Sequence, residues 1–326
     1  MSQQATLDAP LSPTFGGDVM DTTPEKLGEL RPSIDAIEDR DELHLRMARD
    51  GYLFLPGYLD RDKVIAARLC SLERLAEKDI FADGHPLEEG VVKPGIEMRS
   101  AMDVPFDNPP LRNLLYDGRM MSFYEFFLGG QVRHYDHTWF RAKTPFGNVA
   151  TPPHCDTVYM SRGSQRLFTS WTPLGDVPRQ MGGLLILEES HLQQELKATY
   201  GQCDVDVYCE NVGDATQVVA RARAEGRELT DDEKKAIRWT TLGAFADTPM
   251  QARDQLGGRW LTADYEMGDL LLFTMYTMHS SHDNQTNQIR ISTDSRYQLA
   301  SEPVDERWIG DNPPGNDMAA KQGRIC

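Results

Sequence analysis

After Gly129-Gly130 the chain breaks into short runs rich in Val, Ile, Leu, Thr, Tyr and Phe, separated by Pro and Gly. No other feature limits the fold as much. The runs cover 132–142, 157–160, 167–172, 183–187, 270–275 and 289–297. Their residues suit a pleated, half-buried surface, and several such runs in succession favour an antiparallel sandwich or barrel over a βαβ fold. The expected class is therefore mainly β.

Helices should flank this framework. Apolar residues recur at helical spacing over 60–78 (Val64, Ala67, Leu69, Leu72, Leu75) and again over 110–128. A charged stretch at 41–50 reads as helix and the apolar Gly51–Pro56 run as strand. Between the two halves of the β framework, about 191–258 reads as helix and loop, with Thr230 and Glu233 forming a capping box before a helix over Lys234 to Trp239. An insertion so placed is expected to select substrate, together with the segment around Met98 to Phe106. The ends are polar and sparse in apolar residues, so the expectation is a flexible arm at 1–35, one domain at 36–305 and a tail at 306–326.

The chemistry concentrates at His154-Cys155-Asp156. On a regular strand residues two apart share a face, so this imidazole and carboxylate would grip one ion while Cys155 points away. Beyond the apolar Gly268–Phe273 run come His279 and His282, either of which completes a two-His-one-carboxylate set of the kind that holds non-haem Fe(II) with open positions. Arg290 and Ser292 alternate on the next run, guanidinium and hydroxyl on one face, ready for a carboxylate. The upstream strand offers two faces, Thr138, Phe140 and Ala142 or His137, Trp139, Arg141 and Lys143, and either could line the interior. His134 and His137 fall on opposite faces and make no second site, and His191 reads as structural.

The ordered set His154-Cys155-Asp156-Thr157-Val158-Tyr159, Trp171, Gly182-Gly183-Leu184, Glu189-Ser190-His191, Gly268-Asp269, His279 and Arg290 resembles the phytanoyl-CoA dioxygenase family of Fe(II)/2-oxoglutarate oxygenases, over about residues 45 to 305. The resemblance implies a double-stranded β-helix, a cupin-like jelly-roll barrel. It implies Fe(II) on His154, Asp156 and His279, and 2-oxoglutarate on Arg290, with Ser292 and Trp171 assisting. The eleven-residue step from His279 to Arg290 fits the family and the eight from His282 does not, so His279 is the expected ligand. O2 would be consumed, 2-oxoglutarate converted to succinate and CO2, and a C–H bond of a small molecule oxidised. Asp156 in place of a small residue favours hydroxylation, desaturation or cyclisation over halogenation.

Two other readings share these residues. A cupin-like dioxygenase or isomerase without 2-oxoglutarate would use Arg290 for the substrate's own acid, and a binding module would keep the barrel without turnover. Net charge -17 and pI about 4.9 make nucleic acid or an anionic membrane a poor partner. No apolar run approaches a membrane span. Five cysteines (Cys70, Cys155, Cys203, Cys209, Cys326) without a C-x-x-C pair suit a reducing compartment, and the cytoplasm is the expected location. Oligomeric state and substrate identity have no signature in the sequence.

Overall fold

In the computed structural model, residues 12–145, 150–207, 210–236, 238–240 and 243–316 are described. Cys209 and Cys326 lie outside these residues. The framework is two sheets. The larger orders Tyr52–Leu55, Leu270–Thr274, Phe168–Pro173, Arg290–Leu299 and Val132–His134, with Trp139–Lys143 also pairing the Arg290–Leu299 strand, and every pairing is antiparallel. The smaller orders His279–Ser281, Leu184–Leu187, Trp260–Thr262 and Leu27–Glu29, the last pair being parallel.

The run Leu270–Phe273 is continuously apolar because both its faces are covered. Leu270 and Leu272 pack in a helix-side core, whereas Leu271 and Phe273 pack with Leu184, Ile186 and Leu261 of the smaller sheet. The same alternation sets the faces of the neighbouring strands. Phe140, Ala142 and Ile291 join the helix-side core, which turns Trp139, Arg141, Lys143, Arg290, Ser292 and Asp294 inward between the sheets.

On the outer face lie Arg40–Asp50, Arg61–Ala76, Pro109–Tyr116 and Gly118–Leu128. Each starts on a side-chain cap: Asp39 accepts from Glu42 N, Asp60 from Asp62 N and Lys63 N, Asn108 from Leu111 N, and Asp117 from Gly118 N. The single helix expected at 110–128 is thus two, broken where Asp117 is extended and caps the second. Leu111, Leu115, Phe123 and Phe127 bury the apolar stripe.

Three further expectations change. Residues 157–160 form no strand: Asp156–Val158 is a 3-10 turn, closed by Tyr159 N and Met160 N donating to Asp156 O. The β-prone side chains there yield to the tertiary anchoring of Asp156. The capping box exists, with Thr230 N donating to Glu233 Oε2 at 2.9 Å and Glu233 N to Thr230 Oγ1 at 3.2 Å, but its helix is Asp231–Ala236 and Arg238–Thr240 is a strand paired with Glu210–Val212. Part of the supposed arm is also anchored. Leu27–Glu29 extends the smaller sheet, and Thr14 Oγ1 and Gly17 N donate to Asp283. Among the described residues no helix is long and apolar enough to cross a membrane.

Candidate metal centre

His154 and His279 reach one another through an isolated antiparallel bridge, each backbone N donating to the other's O at 3.0 and 2.9 Å. The bridge sets the two imidazoles with centroids 4.1 Å apart. Asp156 enters from the adjoining 3-10 turn, not along a regular strand. Its Oδ1 lies 4.0 Å from His154 Nε2 and 3.9 Å from His279 Nε2. One ligand atom from each of the three falls within 4.8 Å of the others.

The donor chemistry fits a divalent cation. His154 Nδ1 meets Pro152 O at 2.8 Å and His279 Nδ1 meets Thr277 O at 3.0 Å. A carbonyl only accepts, so Nδ1 carries the proton and each Nε2 presents its lone pair inward. Bonds of about 2.1 Å would place the donors about 3.0–3.4 Å apart, so the Asp156 oxygen needs to approach each imidazole nitrogen by about 1 Å or less.

The second carboxylate oxygen is held from behind. Asp156 Oδ2 accepts from Thr169 Oγ1 and forms an ion pair with Arg296 Nη2 at 2.9 Å. Burial would raise this carboxyl, but the Arg296 guanidinium and the two imidazoles hold it well below the usual carboxylate range. Burial pushes the His154 imidazole down to about 3 and lowers His279 as well, so both are neutral in ordinary buffers.

Arg296 and Thr169 escaped the sequence reading. Arg296 had a usable signal: it shares the inward face with Arg290 and Ser292 by simple alternation. Its guanidinium carbon sits 4.3 Å from the centroid of Trp139, which fixes it over the indole. Thr169 had none.

A second cluster adjoins the triad. Arg290 is 1% exposed, donates from Nη1 to Ser292 Oγ at 2.5 Å, and lies 5.9 Å from the Trp171 ring centroid. Its cross-strand neighbour Lys143 donates from Nζ to Thr151 Oγ1 and Ser281 Oγ, both at 2.6 Å. Ser281 shares the inward face of its short strand with His279. Burial lowers Arg290 to about 10 and, with Arg290 nearby, moves Lys143 well below its ordinary value. Among the described residues neither cation has an acidic partner. His282 is buried near them; among the described residues neither of its ring nitrogens has a hydrogen-bond partner, and it takes no part in the triad.

The other inward residues take structural places. Cys155 packs with Val158, Leu185 and Tyr200, its Sγ 3.3 Å from Tyr276 O, and burial raises its thiol. His191 Nε2 contacts Ala48 O at 2.9 Å. A cavity of about 510 Å3 opens onto His154 and Asp156. Its walls include Met102 from the expected segment and Ala244 from the insertion, but also Trp308, Pro313 and Asn316 from the supposed tail.

Among solved structures the chain is similar to EctD from S. alaskensis with 2-oxoglutarate and 5-hydroxyectoine, at 17% identity over 95% of this chain and 90% of that one, TM-score 0.55. It is also similar to the non-heme alpha ketoglutarate dependent carbocyclase SnoK from nogalamycin biosynthesis, at 17% identity over 84% and 90%, TM-score 0.53. The epimerase SnoN in complex with Fe3+, alpha ketoglutarate and nogalamycin RO follows at 22% identity over 82% and 86%, TM-score 0.50. At these identities the likeness is one of fold. No curated protein matches. Residues 47–292, three quarters of the chain, match the phytanoyl-CoA dioxygenase (PhyH) family, and the chain belongs to that family.

Proposed function

We propose that this protein is an Fe(II)- and 2-oxoglutarate-dependent oxygenase acting on a C–H bond of a small molecule. The observation that carries the reading is the pair Arg290 and Lys143, two buried basic side chains with no ion-pair partner among the described residues, beside a neutral-imidazole triad. Burying a basic group without an ion-pair partner costs several kcal/mol, so two of them side by side are placed as if to receive an anion. A dicarboxylate fits both.

His154, Asp156 and His279 would ligate the iron through Nε2, Oδ1 and Nε2. When bound, the metal and 2-oxoglutarate supply the oxidising chemistry, with O2 consumed and succinate and CO2 released. The chain's own work is positional. Arg290 and Ser292 would hold the distal carboxylate, Trp171 would wall that end, and Lys143 would offset the second negative charge. Arg296 and Thr169 turn one oxygen of Asp156 toward the metal. The two sheets packed face to face around the triad support the finer reading of the fold as a double-stranded β-helix in one domain spanning 36–305.

The family, and the ligands carried by the EctD and SnoN structures, support the same reading. The carbocyclase and epimerase among the neighbours mean that insertion of oxygen is one of several outcomes to assay. The test is Fe(II)-dependent conversion of 2-oxoglutarate to succinate by purified protein offered a metabolite extract, with mass spectrometry of what gains oxygen or loses hydrogen. Succinate formation that vanishes in Asp156→Gly supports it. No succinate above background and no 2-oxoglutarate binding would sink it.

A further inference from the structure

The cavity beside the triad has a chemistry that iron and cosubstrate do not use. Trp139 and Trp308 stand 4.7 Å apart by ring centroid at 52°, and His137 lies 4.6 Å from one and 5.3 Å from the other. Tyr159 adds a fourth ring to the lining. Burial lowers His137 to about 4, so this imidazole is neutral.

Into this ring-rich wall comes Arg141. Its Nε donates to Asp294 Oδ2 at 3.0 Å, which sets the plane of the guanidinium. Among the described residues its two terminal nitrogens have no hydrogen-bond partner, and the side chain is 29% exposed while lining the cavity. The one carboxylate in the described lining is Asp156, whose oxygens face the triad or are held by Arg296 and Thr169. A cationic substrate would therefore meet no free acid. The aromatic faces are a poor substitute, because the Arg296 guanidinium already covers Trp139 and Arg141 adds repulsion. In a chain of net charge -17 this local cation does not reflect the overall field.

The far wall is built as firmly. Arg307 donates from Nη1 to Asn316 Oδ1 at 2.9 Å and to Asp206 Oδ2 at 2.6 Å, and from Nη2 to Tyr159 O at 3.0 Å. Its carbonyl accepts from Gly315 N at 2.8 Å. One side chain thus ties the C-terminal segment, the insertion and the turn after Asp156 together around the cavity.

We infer that this cavity takes a ring-bearing small-molecule carboxylic acid, its carboxylate on the free nitrogens of Arg141 and its ring against Trp139 and Trp308. The inference rests on the oxygenase reading and names the substrate class for it. A guanidinium fork matches a carboxylate with two parallel hydrogen bonds, and the rings supply apolar area without a competing acid.

The test uses the full chain loaded anaerobically with Fe(II) and 2-oxoglutarate, titrated calorimetrically with indole-3-acetate, indole-3-acetamide and tryptamine. These share a ring and differ in charge. The expected result is acetate bound at least about tenfold tighter than the amide, as a charge-assisted pair warrants, and tryptamine weakest. Arg141→Met should erase the preference of acid over amide and leave amide and 2-oxoglutarate affinity unchanged. The wild-type comparison stands by itself if that variant folds poorly. Amide or amine binding as tightly as the acid overturns the assignment, as does no binding of the acid. Loss of 2-oxoglutarate affinity in Arg141→Met, with acid preference kept, would give Arg141 to the cosubstrate. If 2-oxoglutarate itself fails to bind wild type, the oxygenase reading falls and not this inference alone.

Discussion

Arg296 Nη2 stands 2.9 Å from Asp156 Oδ2, and both side chains are 2% exposed. The pair makes the carboxylate affordable in a buried site and leaves Oδ1 toward the two imidazoles. Arg296→Met removes the cation and strands a buried charge, so apo stability should fall by about 3–5 kcal/mol. Divalent metal affinity should fall by about 10–100-fold, as for other groups that orient a metal ligand. Weaker binding to the folded state stabilises it less, so at the same concentration metal should raise the melting temperature less in the variant than in wild type. Denaturation with and without Co(II) checks this. Equal metal affinity in both proteins would remove Arg296 from the account.

Thr169→Val tests the other contact to the same oxygen. One hydrogen bond to a charged group is lost while the ion pair stays, so the cost should be about 1.5–3 kcal/mol of stability and a smaller loss of metal affinity than Arg296→Met gives. Urea unfolding of the apo protein measures it.

The triad's imidazoles predict an acid limb in stability. Burial puts His154 at about 3 and lowers His279, against an unfolded value of about 6.5. Between these values the unfolded chain binds more protons, so stability holds above about pH 6.5 and is lost as pH falls toward the folded values. Asp156 has its folded value below the unfolded one and adds a further loss beginning below about pH 4. Metal binding should fall less between pH 7.5 and 5.5 than with unperturbed histidines, because burial lowers both imidazoles and weakens the competition from protons. Two unperturbed histidines would each lose about tenfold there. Co(II) titrations at the two pH values separate the cases.

Much of the candidate site was legible in the chain, because two histidines and a carboxylate of ligand type, followed by an arginine beside a hydroxyl, are chemically distinctive and their order along the sequence is specific. His154, Asp156, His279, Arg290, Ser292 and Trp171 come together as two adjoining clusters. The premise that brought His154 and Asp156 together was faulty, since they meet through a 3-10 turn and a bridge, not through strand alternation. Lys143 was one of two equal faces until the strand's register showed Phe140 and Ala142 taking the helix side. The C-terminal wall was invisible: Arg307 reaches Asp204 and Asp206 about a hundred residues away and Asn316 nearby, contacts that no local pattern announces.

Lys143→Met should show opposite signs in two measurements. Removing a buried amine with no ion-pair partner among the described residues is expected to leave apo stability unchanged or raise it. 2-Oxoglutarate affinity should fall at least about tenfold. A variant less stable than wild type with unchanged 2-oxoglutarate affinity would make Lys143 a structural residue.

Gly51→Ala is predicted to be costly far from the chemistry. Gly51 has φ of +76° at the end of the Arg40–Asp50 helix, and a Cβ there would clash with the His191 ring. Left-handed strain and the clash together should cost more than about 1–2 kcal/mol, seen as a lowered melting temperature with metal affinity intact.

The most direct measurement of the central claim is an anaerobic titration of the Fe(II)-loaded protein with 2-oxoglutarate, followed by its visible metal-to-ligand charge-transfer band. The account predicts a band that saturates at one 2-oxoglutarate per chain, is absent in Asp156→Gly for want of metal, and needs far more 2-oxoglutarate in Arg290→Met. Iron that binds His154, Asp156 and His279 but develops no band with 2-oxoglutarate would contradict it.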